Sequence, residues 1–297
     1  ANEKETREAA EPEVLRAKLA AGVGWVCPVT FQRQEAGLLR EAMKELEKQK
    51  VTQIILDLRS PCQDADFDVA ADILDLFAPP AEVLFKLQQV GRKDSELFLS
   101  REPVVWEGKV IVLIDRDSCN AAEAIAAVLA ERDAALLVGS GTRGATVRFE
   151  IQPIDSEFSL RFARAEMLLP DGTSLFKKGL KPDFEIAMDA ETKAEVVKLQ
   201  RAGKVAGTVF DRAPVRYNEA ALVARKHPEL DAYIRRSAGE ETEGDRAPVR
   251  DTVLQRAVDM LTASAFVGGS KIQWRARTAA PEAPEPEIPK ALPATAP

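Results

Sequence analysis

The sequence is poor in the residues that most often build metal and disulfide sites. It has three cysteines, Cys27, Cys62 and Cys119, an odd and widely spaced set with no CxxC pair. That set indicates neither a zinc site nor a disulfide framework, and it leaves one Cys27–Cys62 bridge open. The single histidine, His227, precedes Pro228 in a charged stretch and reads as a surface residue. No apolar run approaches the eighteen or so residues of a membrane span. No Lys/Arg block is long enough to track phosphates, and the formal net charge is -7 with a pI near 5.2. Nucleic acid is therefore excluded as a partner, and an anionic membrane surface is disfavoured. No cofactor or metal is expected. The chain opens on Ala1 and a polar segment, which suits a trimmed chain or a mature one after signal-peptide removal, so an exported, periplasmic or extracellular location is expected.

What is present is the material of a globular protein: 45% hydrophobic and 30% charged residues with ordinary glycine and proline. Residues 1–22 are rich in Glu, Lys and Ala with Val14, Leu15 and Leu19 at helical spacing, predicting an N-terminal lead-in helix. A short β-rich run from Val23, a helix over 35–50, a strand over 53–58 and a helix over 67–77 follow. Strands are predicted at 109–114 and 134–138 around an Ala-rich helix at 121–131, the second running into a Gly-rich turn at 139–144. Strands at 147–152, 159–163 and 165–169 suit hairpins. This alternation predicts a layered α/β domain over 23–189. Residues 190–274 read as an α-helical extension, with helices at 189–201, 218–226 and 253–263. The Pro/Ala/Glu-rich segment 275–297 has too little apolar surface to fold. The hexapeptide Asp-Arg-Ala-Pro-Val-Arg occurs at 211–216 and 245–250, each time before a helical pattern, and reads as a reused helix-start segment.

The run Asp117-Ser118-Cys119-Asn120-Ala121-Ala122-Glu123 has the residues of a helix start: side chains that accept from first-turn N–H groups, then an early acidic residue at the positive end of the dipole. A strand, a turn of small residues and an Ala-rich helix also form the setting in which a nucleophile is presented at a helix N-terminus. Segment order separates these readings. Leu56-Asp57-Leu58-Arg59 and the turn Ser60-Pro61-Cys62-Gln63-Asp64 come first. Asp117 to Glu123 follows, then Val138-Gly139-Ser140-Gly141-Thr142-Arg143-Gly144-Ala145, then Pro170-Asp171-Gly172 and Gly179-Leu180-Lys181-Pro182-Asp183. Leu254-Gln255-Arg256-Ala257 closes the series. This order resembles the catalytic domain of the C-terminal processing (tail-specific) serine peptidases. The resemblance covers about 23–189 and the closing helix, with no segment for a peptide-binding PDZ insert.

The resemblance implies a ClpP/crotonase-like α/β spiral and a Ser/Lys mechanism, in which a neutral lysine takes the proton of the attacking serine. Register anchored on Glu123 puts the serine slot at Asn120. Register anchored on Gly139, Thr142 and Gly144 puts the lysine slot at Ala145, and a following glutamine slot falls at Phe149. Asn is no nucleophile for acyl transfer, and Ala takes no proton. The Gly-Gly of the oxyanion turn is replaced within Cys62, Gln63 and Asp64, where a Cβ crowds the close approach that Gly permits. Ser118 and Cys119 are the rescue candidates. Arg143, spaced from Ser118 as the lost lysine is from the lost serine, is always protonated and cannot act as base. A Cys119–His227 pair would need further contacts, and Asp57 with Arg59 reads as a structural ion pair. The sequence thus predicts a tail-specific peptidase homologue without its dyad, holding an extended peptide or unfolded segment as partner. An active serine-type peptidase with a displaced nucleophile is the alternative, and a homo-oligomer or a subunit paired with an active paralogue is a further possibility for its assembly.

Overall fold

The computed structural model describes residues 11–60, 67–92, 94–155, 158–210 and 249–266. The predicted α/β character holds. A six-stranded sheet runs in the order β1 (Val14–Ala20), β2 (Val23–Pro28), β3 (Gln53–Asp57), β6 (Lys109–Ile114), β7 (Leu136–Gly139) and β10 (Phe184–Glu185). From β2 to β10 every pairing is parallel, and only β1 lies antiparallel to its neighbour. Parallel strands covered on both faces read as continuous apolar runs, as Gln-Ile-Ile-Leu-Asp and Lys-Val-Ile-Val-Leu-Ile do. Successive side chains point to opposite faces. Ile54, Leu56, Val110 and Val112 pack against α1 (Glu35–Lys48), α2 (Phe67–Leu74) and α3 (Ala121–Glu131) in one core, while Ile55, Ile111 and Leu113 face a second core. That second core is closed by Val253, Leu254, Ala257, Val258 and Leu261 of the last described helix, α6 (Thr252–Phe266). The helices α4 (Ala190–Arg201) and α5 (Ala206–Val209) precede it.

A second sheet, ordered β5 (Ser95–Leu99), β4 (Val83–Gln89), β9 (Ser159–Leu168), β8 (Val147–Pro153), is antiparallel throughout. Phe85 of β4 joins it to the helical layer, its ring 6.0 Å from Phe67 of α2 and stacked at 4.6 Å on Phe98 of β5.

Two sequence expectations need correction. The lead-in segment is no helix where it is described: Val14–Ala20 pairs with β2 from Val14 opposite Pro28 to Ala20 opposite Val23. Its Glu/Lys/Ala composition favours helix only weakly, and backbone pairing at the open edge of the sheet overrides it. The strands expected at 159–163 and 165–169 are one strand, β9, with an irregularity at the expected break: Arg148 and Phe149 of β8 stand opposite Ala165 and Ala163, which leaves Arg164 as the extra residue. The oxyanion turn at Cys62, Gln63 and Asp64, the helix at 218–226, His227, the first hexapeptide copy and the tail lie outside the described residues. Of the second copy only Val249 and Arg250 fall within them.

Candidate functional site

The site lies at the carboxyl ends of β3, β6 and β7, where crevices form in parallel sheets. β6 ends at Ile114, and the turn 115–120 delivers the chain into α3. Asn120 caps that helix with φ 47° and ψ −111°, a sharp strand-to-helix turn of the strained kind that presents a nucleophile. Its side chain makes no capping hydrogen bond, and its Oδ1 is buried with no donor. Position 120, which the sequence resemblance reads as the serine slot, thus combines a sharp-turn backbone with an amide side chain that is no nucleophile.

Ala145, which the sequence resemblance reads as the lysine slot, is held to the same helix by Glu123. Its buried carboxylate accepts from Gly144 N at 2.7 Å, Ala145 N at 2.8 Å and the Thr142 hydroxyl. Burial pushes the Glu123 carboxyl upward, ahead of those hydrogen bonds, which pull it down. Thr142 Oγ1 in turn accepts from Leu180 N at 2.7 Å. Gly144, at φ 74°, passes so close to the 175–179 segment that a Cβ there would lie 2.6 Å from Gly179 N. Asp183 closes the frame, accepting from Leu137 N at 2.7 Å while its own N–H donates to Leu137 O at 2.8 Å. The motif residues Thr142, Gly144, Gly179 and Asp183 are therefore framework, and they are intact. Ala145 carries only a methyl group, half-buried against the main core.

Phe149 is not in this frame. It stands on β8 opposite Ala163, 38% exposed, with the Arg161 guanidinium 4.2 Å over its ring. Ser118 is fully buried, donating to Leu58 O at 2.7 Å and accepting from Asp115 N at 3.0 Å, so its hydroxyl ties the turn to the end of β3. Cys119 sits in the main core. Cys27 is a free, buried thiol, and burial, with Asp57 beside it, pushes it far up; Cys62 lies outside the described residues. Arg143 is largely exposed at the rim, 3.6 Å from Asp117.

Asp57 and Arg59 do form a structural ion pair, within a larger cluster. Arg59 donates to both Asp57 oxygens at 2.8 and 2.6 Å and to both Asp251 oxygens at 3.1 and 2.7 Å. Trp25 Nε1 adds a donor to Asp57 at 3.1 Å. Burial works to raise the Asp57 carboxyl, but Arg59 outweighs it and holds it below the ordinary range. Sequence reasoning missed Asp251, which also caps α6 by accepting from Leu254 N at 2.9 Å. It missed Lys193 of α4 as well, whose ammonium donates to Arg59 O at 2.9 Å and Asp117 at 2.6 Å and lies 2.5 Å from Asp115. An amine on a long side chain can reach three oxygens at once, and here Lys193 ties α4 to the turn through Arg59, Asp115 and Asp117. No local pattern marked either residue; only their place in helices packed on the site does.

Comparison with known proteins agrees with this geometry. The sequence model of "Peptidase family S41" matches residues 22–186, more than half of the chain. A "Probable CtpA-like serine protease" of Staphylococcus aureus is 25% identical over 202 residues, 67% of this chain and 40% of that protein. Its Staphylococcus epidermidis counterpart is 26% identical over 159 residues, 53% of this chain and 32% of the relative. The chain thus spans well under half the length of these curated relatives. Among solved structures, the photosystem II D1 C-terminal processing protease superposes with a TM-score of 0.55 at 19% identity, covering 68% of this chain and 53% of that one, a likeness of fold. With its framework motifs in place around the ends of β3, β6 and β7, the chain belongs to peptidase family S41.

Proposed function

We propose that this chain is a non-catalytic member of its family that holds an extended peptide or unfolded protein segment at the mouth between the start of α3 and the 141–146 segment. The observation that carries the reading is the division of labour among the motif residues. Those that shape the frame are kept and bonded, whereas the two that would move a proton and attack a carbonyl are Asn120 and Ala145. Retention of a strained backbone at Asn120 favours a working site over a relic, because strain of this kind costs on the order of 1–3 kcal/mol and is offset only where the surroundings hold it. Fold alone does not carry activity. The displaced-nucleophile alternative loses support from the hydrogen bonds that engage Ser118 and from the core position of Cys119. An exported site of action is part of the proposal. Among the described residues, no helix is long and apolar enough to cross a membrane.

The test is hydrolysis of casein by the purified chain beside Ser118→Ala, Cys119→Ala and the Asn120→Ser/Ala145→Lys double variant, with anisotropy of a labelled unstructured peptide as the binding readout. Wild type is expected to bind without cleaving, and any cleavage gained by the double variant fixes the register of the two slots. Cleavage by wild type that Ser118→Ala or Cys119→Ala abolishes would overturn the proposal.

A further inference from the structure

The outer half of the β8–β9 hairpin projects beyond the rest of its sheet. β4 pairs with β9 only from Ala165 to Leu168, so Ser159 to Ala163 have β8 as their one strand neighbour among the described residues. β8 is itself an outer strand. Along this projection Phe149, Ile151, Ile154, Phe158 and Leu160 are between 38% and 68% exposed. Isolated exposed apolar residues need no explanation, but Phe149 and Ile151 share one face of the unpaired edge strand itself, the combination that marks an association surface.

The order of charges along the edge selects the occupant. β8 reads Val147-Arg148-Phe149-Glu150-Ile151, with opposite charges two residues apart around an aromatic. We propose that β8 pairs antiparallel with β8 of a second copy about a two-fold axis at Phe149, joining the two four-stranded sheets into one. In that register Arg148 faces Glu150 of the second copy, twice by symmetry, and Val147 faces Ile151. Directly opposed charges and β-branched or aromatic pairs each stabilise a sheet pairing. A two-fold axis at Glu150 would oppose two carboxylates and is penalised. The face carrying Phe149 and Ile151 becomes a continuous apolar row across the axis, flanked by Arg161 stacked on each Phe149. The existing surface pairs of Arg148 with Glu96 and of Glu150 with Arg164 hold both charges on this part of the sheet and are compatible with a second partner, since a guanidinium carries five donors. The inference is independent of whether the slots at Asn120 and Ala145 are catalytic.

Sedimentation velocity across about a hundredfold range of protein concentration reads the association, because mass action shifts a dimer with concentration. Wild type is expected to dimerise. Glu150→Arg sets two arginines against each other in each pair and is expected to raise the dissociation constant by at least about tenfold. The Arg148→Glu/Glu150→Arg exchange restores opposite charges and is expected to restore the dimer. Hydrogen exchange on wild type gives a readout that needs no variant: amides of 147–152 should gain protection as concentration rises. A chain that stays monomeric, a Glu150→Arg variant that dimerises as before, or a charge exchange that fails to restore the dimer overturns the proposal. So does protection of 147–152 that appears only on adding an unstructured peptide, which would make that peptide the strand's partner.

Discussion

At the scale of single residues, Asn120 carries two costs at once: a backbone at φ 47° and ψ −111°, and a buried Oδ1 with no donor. Each disfavours the folded state, by on the order of 1–3 kcal/mol for the dihedrals and a similar amount for an unsatisfied buried polar atom. Glycine tolerates positive φ and removes the orphan oxygen, at the expense of a more flexible unfolded chain. Asn120→Gly is therefore expected to raise the unfolding free energy by about 1 kcal/mol, read by urea denaturation, while weakening any peptide binding at the mouth. A variant less stable than wild type would mean that the amide makes a favourable contact on balance. Ser118 illustrates the opposite case. Its candidacy rested on a hydroxyl two positions from the slot, and only the three-dimensional arrangement reveals that both the donor and an acceptor capacity of that hydroxyl are engaged by Leu58 and Asp115.

Between elements, the decisive contact is the buried cluster that joins β3 to α6. Asp251 bonds Arg59 through both oxygens, accepts from Gln200 Nε2 at 3.3 Å, and caps its own helix. Removing one partner from a buried ion pair costs about 3–5 kcal/mol where the remaining charge is left alone. Arg59 keeps Asp57, so Asp251→Ala is expected to cost about 2–4 kcal/mol and to expose 249–266 to limited proteolysis. Loss of less than about 1 kcal/mol would show that Asp57 alone satisfies Arg59. This contact spans 192 residues of sequence, which is why it was illegible. What was legible had local cause: β6 and α3 fall where their apolar runs put them, and Glu123 and Gly144, the residues on which the motifs were aligned, meet in a hydrogen bond. Val14–Ala20 misled because edge pairing, a tertiary effect, outweighed composition. β4 and β5 were not read at all; Gln, Lys and Glu dilute their alternation, and their order comes from Phe85 and Phe98 stacking across the pair.

For the molecule as a whole, two of the buried carboxylates around the site, Asp57 and Glu123, impose opposite slopes on stability against pH. Asp57 is held below its ordinary value of 3.8 by Arg59, so the unfolded chain binds its proton more readily than the native state does. Its contribution is fully present above that value and is lost as pH falls. Glu123 is pushed above its ordinary 4.5 by burial, so the native state keeps that proton to higher pH than the unfolded chain. Its contribution is present below 4.5 and is lost as pH rises through the raised native value. From these two groups unfolding free energy is expected to climb with pH up to about the ordinary aspartate value of 3.8 and to bend downward above the ordinary glutamate value of 4.5, a limb to which Asp75, also raised by burial, adds and which histidine obscures little because the chain has only His227. Glu123→Gln cannot lose a proton, and it should flatten the downward limb while leaving the acid limb in place. It should also cost about 1–3 kcal/mol, because an amide nitrogen cannot accept from both Gly144 and Ala145 as the carboxylate does. If the downward limb is the same in wild type and Glu123→Gln, the three donors outweigh burial and the carboxylate is ionised in the folded protein across that range. The 142–145 frame would then be held by charge-assisted hydrogen bonds at every pH at which the protein is folded.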